Sequence, residues 1–170
     1  MTTRSAGSML DRKPLLMLMD GHAMVYRAFY AIPEPLNVSK TGEEVRAVYG
    51  FLNAFLRALT DYNPTHCAIA FDLPTPTFRH KEFADYKAQR PPPPPELRPQ
   101  FDRVRSFMEA FEVPIFDKAG YEADDVLASL CRQAEEQEID TVVLSGDSDL
   151  LQLVSPYVKV VLSYSVQRTT

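Results

Sequence analysis

Three short apolar runs in this sequence each end in a turn that carries an acid, and they limit the possible folds more than any other feature. Continuous apolar runs of this length are typical of strands that are buried on both faces of a sheet. We therefore expect three buried strands, the first of which runs into a loop. The runs and their ends are Leu15 to Met19 before Asp20-Gly21, Cys67 to Phe71 before Asp72, and Thr141 to Leu144 before Ser145-Gly146-Asp147.

Helical periodicity lies between these runs. Two stretches repeat apolar residues at three- and four-residue spacing, and Glu122 to Glu138 is predicted to form a further helix. Val113 to Phe116 and Val158 to Leu162 are predicted as additional strands. This alternation indicates an α/β domain with a mostly parallel sheet that helices cover on both faces. The two periodic stretches are Val45, Val48, Tyr49, Leu52, Phe55, Leu56 and Leu59, and Leu97, Phe101, Val104, Met108 and Phe111.

Length and composition bound the class of protein. With 170 residues and 45% hydrophobic content, we expect one domain over residues 14–165 and a disordered tail at 1–13. No run approaches the roughly 18 apolar residues that span a bilayer, and the first residues lack the apolar core of a signal peptide. We therefore expect a cytoplasmic protein, and a monomer because no heptad pattern is present. Cys67 and Cys131 are predicted to be small core residues.

Seven acidic residues cluster where the predicted strands end or the next helix begins. In open parallel sheets these ends border one crevice, so we expect the acids to converge there. Converging carboxylates repel one another, and a divalent cation removes that cost. Oxygen ligands without thiolate or histidine favour Mg²⁺ or Mn²⁺, and two such ions would suit phosphodiester hydrolysis. The seven acids are Asp20, Asp72, Glu122, Asp124, Asp125, Asp147 and Asp149.

Single acids at such positions are also common helix caps and turn formers. This alternative stays open for Asp124 and Asp125 individually, because spacing alone does not decide which of them would contact a metal ion.

Positive charge is concentrated in one segment of an otherwise acidic chain. Residues 79–105 contain seven Lys or Arg and four Asp or Glu, although the whole chain has a net charge of −5. Such an asymmetry suits a protein in which one segment contacts phosphates while another holds metal ions. A solvated surface would give the same charge pattern. The run Pro91 to Pro95 cannot lie inside a helix and is predicted to be an extended connector.

Several ordered motifs resemble the N-terminal 5′-nuclease domain of bacterial DNA polymerase I, within the wider flap-endonuclease family. They cover roughly residues 15 to 165. The motifs are Leu18-Met-Asp-Gly-His22 with Tyr26-Arg27-Ala28, Pro64-Thr-His66 leading to Phe71-Asp72, Thr77-Phe-Arg79 with Tyr86-Lys87 and Arg90-Pro91-Pro92, Gly120-Tyr-Glu-Ala-Asp-Asp-Val126, and Ser145-Gly-Asp-Ser-Asp149 with Gln152-Leu153-Val154.

The resemblance implies a PIN-like (resolvase-like) fold, two-metal catalysis and removal of 5′ flaps or RNA primers during replication and repair. It implies that the basic segment, about residues 78–105, forms a helical arch over DNA with a free 5′ end. Asp20, Asp72, Glu122, Asp124, Asp147 and Asp149 match the metal ligands of the family, and Asp125 matches a companion acid. Lys87 and Arg90 match its phosphate-contacting residues, while Phe78, Arg79 and Tyr86 fall where the family threads the single strand.

The family continues beyond this point into a helix-hairpin-helix region that grips DNA and supplies further acids. The sequence to Thr170 does not contain that region, so we expect weak catalysis from these residues alone. Two other functions would fit the acids. One is a Mg²⁺-dependent phosphohydrolase of small molecules, and the other is a nucleic-acid-binding fragment without catalysis.

Overall fold

The computed structural model describes residues 12–83, 85–89 and 91–162, and within them five parallel strands form one sheet. The strands lie in the order β3-β2-β1-β4-β5, and each neighbouring pair is parallel. The α/β fold with a parallel sheet, predicted from the alternating pattern, is therefore confirmed. The strands are β1 Leu15–Asp20, β2 His66–Ala70, β3 Ile115–Phe116, β4 Asp140–Ser145 and β5 Val158–Leu162.

Helices cover both faces of the sheet, as predicted. On one face, α1, α2 and α4 pack on Met17, Met19 and Val142, while on the other α5 packs on Leu18 and Val143. Alternate residues of a strand point to opposite faces, which is why neighbours along β1 belong to different core clusters. The helices are α1 Gly21–Ala31, α2 Arg46–Tyr62, α3 Phe78–Glu82, α4 Arg98–Ala110 and α5 Ala123–Glu135, with a 3₁₀ helix at Ser148–Leu153.

The predicted loop after the first strand is wrong. Helix α1 begins directly at Gly21, because the Asp20 side chain accepts a hydrogen bond from the Ala23 amide and caps the helix. Gly21 is needed at this junction for space: a Cβ there would lie 2.5 Å from the Phe71 ring. The chain thus passes from strand to helix without a connecting loop, and this holds the Asp20 carboxylate at the end of the sheet.

The predicted apolar stripe of α2 is only partly correct. Tyr49 and Leu56 are exposed, while the buried face contains Phe51 and three alanines. Small residues allow close approach between α1 and α2, as at Gly50, where a Cβ would lie 3.0 Å from that of Ala28. The predicted third strand is also shorter than expected, and Phe111 lies exposed just beyond the end of α4.

The polar Gln100 joins two helices inside the core. Its Oε1 accepts hydrogen bonds from the amides of Ala47 at 2.8 Å and Val48 at 3.3 Å, in the first turn of α2. Its Nε2 donates to the Glu96 carbonyl. Helix α2 has no side-chain cap of its own, so this glutamine from α4 satisfies backbone donors that would otherwise be buried without a partner.

The remaining predictions concern the two cysteines, the N-terminal tail and the proline run. Cys131 is buried, and Cys67 is half-buried against the core. Arg12 donates to the Asn63 carbonyl, and Lys13 pairs with Asp140. The last two residues of the predicted tail at 1–13 therefore contact the fold, while residues 1–11 lie outside the described part. Pro91 to Pro94 lie in no regular secondary structure and Pro95 lies in the turn before α4, so the predicted connector lies outside the helices. Among the described residues, no helix is long and apolar enough to cross a bilayer.

Candidate metal and phosphate site

The strand order creates a crevice between β1 and β4. From β1 the chain winds outward to β2 and β3, and then crosses back to β4 and β5 on the other side. The connections after β1 and β4 therefore leave in different directions, and ligands of such sheets bind outside the carboxyl ends at this point. Asp20 is the last residue of β1 and Ser145 the last of β4, so both lie at the crevice.

Asp20 is the most deeply buried acid of the site, with 4% of its surface exposed. Its Oδ1 accepts from the Ala23 amide at 3.0 Å, and its Oδ2 accepts from the Ser145 hydroxyl at 2.7 Å. The Ser145 oxygen in turn accepts from the Asp147 amide at 2.9 Å. Burial raises the pKa of Asp20 although both hydrogen bonds oppose the shift. Ser145 thus links the two acids, a role that was not predicted for it.

Asp72 joins β2 to the start of α5. Its Oδ1 accepts from the Ala123 amide at 2.6 Å, and its own amide donates to Nδ1 of His22 at 3.1 Å. Burial lowers the pKa of His22, whose ring stacks on Phe101 at 4.6 Å between centroids. Because Nδ1 accepts, the neutral ring carries its proton on Nε2. His22 therefore supports the position of Asp72, a contact that the sequence does not reveal.

Five of the seven predicted acids line one cleft of about 550 Å³, which we call the acid cleft. Burial, and then repulsion from four other carboxylates, raises the pKa of Asp124 to about 7. Both causes disfavour the charged form of the Asp124 carboxyl. The five acids are Asp20, Asp72, Glu122, Asp124 and Asp147, and the four that act on Asp124 are Asp20, Asp147, Asp72 and Glu122.

The remaining two acids lie elsewhere. Asp149 is exposed on the 3₁₀ helix, where its amide donates to Oδ1 of Asp147 at 2.9 Å. Asp125 pairs with Arg79, whose two terminal nitrogens lie 2.7 Å and 2.8 Å from its carboxylate oxygens. Arg79 holds the pKa of Asp125 below its usual range. The structure thus brings neither side chain into the acid cleft.

The acid cleft has the donor chemistry of a hard cation but not a finished coordination sphere. Across the described ranges, no three Asp, Glu, His or Cys side chains lie close enough together to hold a metal ion. The carboxylates nevertheless share one cleft, where burial and then the four neighbouring carboxylates raise the pKa of Asp124. The residues therefore fit a divalent cation, provided that their side chains move closer together on binding.

The basic segment contacts the acid cleft through Glu122, which is itself buried. Lys87 Nζ lies 2.8 Å from Oε1 of Glu122, and the Tyr86 hydroxyl donates to Oε2 at 3.0 Å. Burial, and then the bond to Glu122, raises the pKa of Tyr86. Phe78 is exposed beside Tyr121, with 5.8 Å between ring centroids, and lies under the Arg79 guanidinium. Arg90 falls outside the described residues.

The basic segment, predicted to form a helical arch, contains two separate helical stretches in the part of residues 78–105 that the structure describes. Helix α3 covers only Phe78–Glu82, turns follow at residues 85–89, and α4 begins at Arg98. Lys87 has a positive φ of 56° in these turns. Prolines account for the lack of helix at residues 91–94, because they lack the amide donor that a helix needs.

A second, larger groove of about 830 Å³ lies between α1, α2 and the connection between them. Its lining is mainly apolar and includes a single carboxylate, that of Glu34. Size alone would favour this groove as the functional site. The convergence of carboxylates and Lys87 in the smaller cleft is the chemically more specific feature, so we place the candidate site there.

Comparisons with known proteins agree with this architecture. A family model described as the 5′-3′ exonuclease, N-terminal resolvase-like domain, matches residues 15–170. DNA polymerase I of Chloroflexus aurantiacus is 49% identical over 150 residues, which are 88% of this chain and 16% of that polymerase. DNA polymerase I of Bacillus caldotenax is 42% identical over 148 residues, 87% of this chain. The chain spans 16% and 17% of the length of these two curated relatives.

One solved structure shares the fold at low sequence identity. The T5 5′-exonuclease with bound divalent zinc ions superimposes with a TM-score of 0.62 and 19% identity, over 86% of this chain and 54% of that one. At this identity the similarity supports the fold, while the family follows from the sequence match and from the polymerase relatives. This chain belongs to the family of 5′-3′ exonuclease N-terminal, resolvase-like domains.

Proposed function

We propose that this chain hydrolyses phosphodiester bonds of nucleic acid near a free 5′ end, as the metal-binding part of a structure-specific 5′-nuclease. The observation that carries the proposal is the acid cleft, which five carboxylates line together with the ammonium group of Lys87. Carboxylates that face each other at a sheet crevice suit divalent cations, and a neighbouring ammonium suits phosphate. The family assignment supports the same chemistry.

The metal would be Mg²⁺ or Mn²⁺, and we propose two ions, in line with the acid count of the site. When bound, the ions would activate a water molecule and neutralise the phosphate that is cleaved. Asp20 is held in advance by the Ser145 hydroxyl and the Ala23 amide, so its carboxylate has a fixed direction. The residues of the acid cleft that would hold the ions are Asp20, Asp72, Glu122, Asp124 and Asp147. Asp149, which the resemblance also matches to a metal ligand, would reach an ion only if the 3₁₀ helix moved toward the cleft.

The substrate would be DNA with a 5′ flap or free 5′ end, and RNA primers paired to DNA. Lys87 and Arg90 would contact the phosphate that is cut, with Lys87 exchanging its contact with Glu122 for one with phosphate. Phe78 and Tyr86 would stack on unpaired bases, since aromatic rings beside cations suit single strands, and the Phe78 ring is exposed while that of Tyr86 is partly buried. A T5 flap endonuclease of the same fold forms a pseudo-enzyme-product complex with DNA and metal ions.

The named relatives are DNA polymerases, which supports a place in replication and repair. We propose a monomer that acts in the cytoplasm, where bacterial DNA is accessible. These assignments extend from a chain that covers about a sixth of the relatives, so they concern the nuclease chemistry of this segment.

The test is cleavage of a fluorescent 5′-flap DNA with Mn²⁺ by the wild-type chain and by Asp20→Asn and Asp147→Asn variants. Asparagine retains an oxygen that can cap the helix but removes the charge. We expect each substitution to reduce the rate more than about tenfold, the scale reached even by groups that only support metal ligands. Asp140→Asn is the matched control, because Asp140 is the first residue of β4, at the end of the strand opposite to the crevice, and pairs with Lys13.

Two outcomes would favour other functions. Hydrolysis of p-nitrophenyl phosphate that single-stranded DNA does not inhibit would indicate a phosphohydrolase of small molecules. DNA binding that weakens with salt, without cleavage at any enzyme concentration, would indicate a nucleic-acid-binding module.

A further inference from the structure

Arg79 and Asp125 form a two-pronged ion pair between segments 46 residues apart in sequence. Arg79 lies in α3, at the start of the basic segment, while Asp125 lies in the first turn of α5. Both nitrogens of the guanidinium fork are within 2.8 Å of a carboxylate oxygen, the geometry in which Arg and carboxylate interact most specifically. Both side chains are about three-quarters buried, so solvent screens the pair only partly.

The pair uses groups that a ligand or a phosphate contact would need free. Both oxygens of Asp125 already accept from Arg79, and Oδ2 also accepts from the Glu122 amide at 2.9 Å. The side chain does not line the acid cleft, unlike its neighbour Asp124. Adjacent residues of a helix turn point in directions about 100° apart, which separates these two acids.

The same pair reaches Glu122 from two sides. The Asp125 carboxylate accepts from the backbone amide of Glu122 and so fixes that backbone. The Arg79 guanidinium lies 3.6 Å from the Glu122 carboxylate. A backbone hydrogen bond from the Phe78 amide to the Gly120 carbonyl, at 2.9 Å, holds the start of α3 against the same turn. The Glu122 carboxylate then receives Lys87 and Tyr86 from the following turns. The orientation of this cleft acid thus depends on how α3 docks to α5.

We propose that Arg79 and Asp125 are positioning residues, which hold Glu122 and the start of the basic segment in place without binding metal or phosphate themselves. This inference rests on the proposed nuclease function, since it assigns these roles within the same site. It differs from the resemblance, which implies that Asp125 is a companion metal acid and Arg79 a contact of the single strand. Arg79→Lys is the informative variant, because lysine keeps the charge but cannot form the fork.

The first test needs no metal and no substrate. Amide hydrogen exchange measured by NMR should show the Glu122 amide exchanging about fivefold faster in the Arg79→Lys variant, the factor expected when a modest interaction is lost. The Leu127 amide, inside α5, should not change. Arg105→Lys is the matched control, since Arg105 also belongs to the basic segment but pairs with Asp117 and not with Asp125. An unchanged Glu122 amide in Arg79→Lys would overturn the proposal.

The second test measures Mn²⁺ affinity by calorimetry for Arg79→Lys, Asp125→Asn and the double variant. Positioning predicts that all three lose about tenfold in affinity, with no further loss in the double variant, because each change breaks the same pair. A loss in Asp125→Asn with no change in Arg79→Lys would make Asp125 a direct ligand and overturn the proposal. If the wild-type chain binds no Mn²⁺, the proposed function fails, while the Glu122 amide still decides whether the pair positions it.

Discussion

Phe51 and Phe83 are identical side chains in opposite environments. Phe51 is fully buried in α2 against the sheet, whereas Phe83 ends α3 with 64% of its surface exposed. The difference extends to their whole regions. The core between α1, α2 and the sheet is filled with apolar side chains, but α3 has no buried residue at all.

Polar contacts hold α3 and the following turns in place, whereas apolar burial holds α2 in place. Arg79 pairs with Asp125, and Lys87 and Tyr86 contact Glu122. Apolar burial is non-directional and proportional to area, while these contacts depend on charge and geometry. The region facing the acid cleft can therefore rearrange at a smaller free-energy cost than the core, which suits a segment that would have to admit a substrate.

The largest expected effect is in the core. Phe51→Ala should lower the free energy of unfolding by about 3–5 kcal/mol, because it removes a buried ring and leaves a cavity. Phe83→Ala should change it by less than about 0.5 kcal/mol, since exposed substitutions seldom matter. Urea denaturation of both variants measures the contrast. Similar losses in the two variants would mean that α3 is packed as firmly as α2.

Removal of the buried amide of Gln100 should have an intermediate effect. In Gln100→Ala the amides of Ala47 and Val48 lose their acceptor inside the protein, which should cost about 1–3 kcal/mol. Thermal unfolding monitored by circular dichroism provides the measurement. The control is Gln133→Ala, because Gln133 is exposed on α5 and its side-chain Nε2 donates to the carbonyl and hydroxyl of Ser129 on the helix surface. Equal effects of the two substitutions would remove any special role of Gln100.

The sequence predicts the core better than it predicts the contacts of the acid cleft, and the reason is physical. Apolar runs report burial directly, so all five strands could be placed from the sequence within a few residues. The acids at the strand ends could be anticipated too, because a parallel sheet gathers these ends at one edge. In the structure, five of the seven predicted acids line the acid cleft.

Features that depend on distant partners could not be read from local patterns. The alanines of α2 are buried in the core, yet alanine carries little hydrophobic signal, so the sequence pattern favoured Tyr49 and Leu56 instead. The pairing of Asp125 with Arg79 depends on how α3 meets α5, and no spacing in the sequence encodes that contact. The direct start of α1 at Gly21 could have been suspected, since aspartate before a glycine is also a helix-cap signal.

The smallest expected effect concerns the acid cleft and its pH dependence. Burial and neighbouring acids raise the pKa of Asp124 from an ordinary 3.8 to about 7, so the folded state binds a proton that the unfolded chain has already released. The stability from this group is present below pH 4 and is lost as the pH rises toward 7. Asp124→Asn mimics the protonated form, so it should match the wild type at pH 4 and exceed it at pH 8.

We expect a gain at pH 8 of roughly 1 kcal/mol, a value reduced for the solvent screening of a half-buried group. Urea denaturation with a chelator present, at both pH values, measures this difference between Asp124→Asn and the wild type. Asp140→Asn should show no gain at pH 8, because that carboxylate is paired with Lys13 away from the cleft. A gain in both variants would reflect the overall negative charge of the chain, whereas a gain in Asp124→Asn alone would locate the cost in the burial of this charge among the carboxylates of the acid cleft. In that case the cleft, unlike the apolar core, is destabilised by the very charges that suit it to cations.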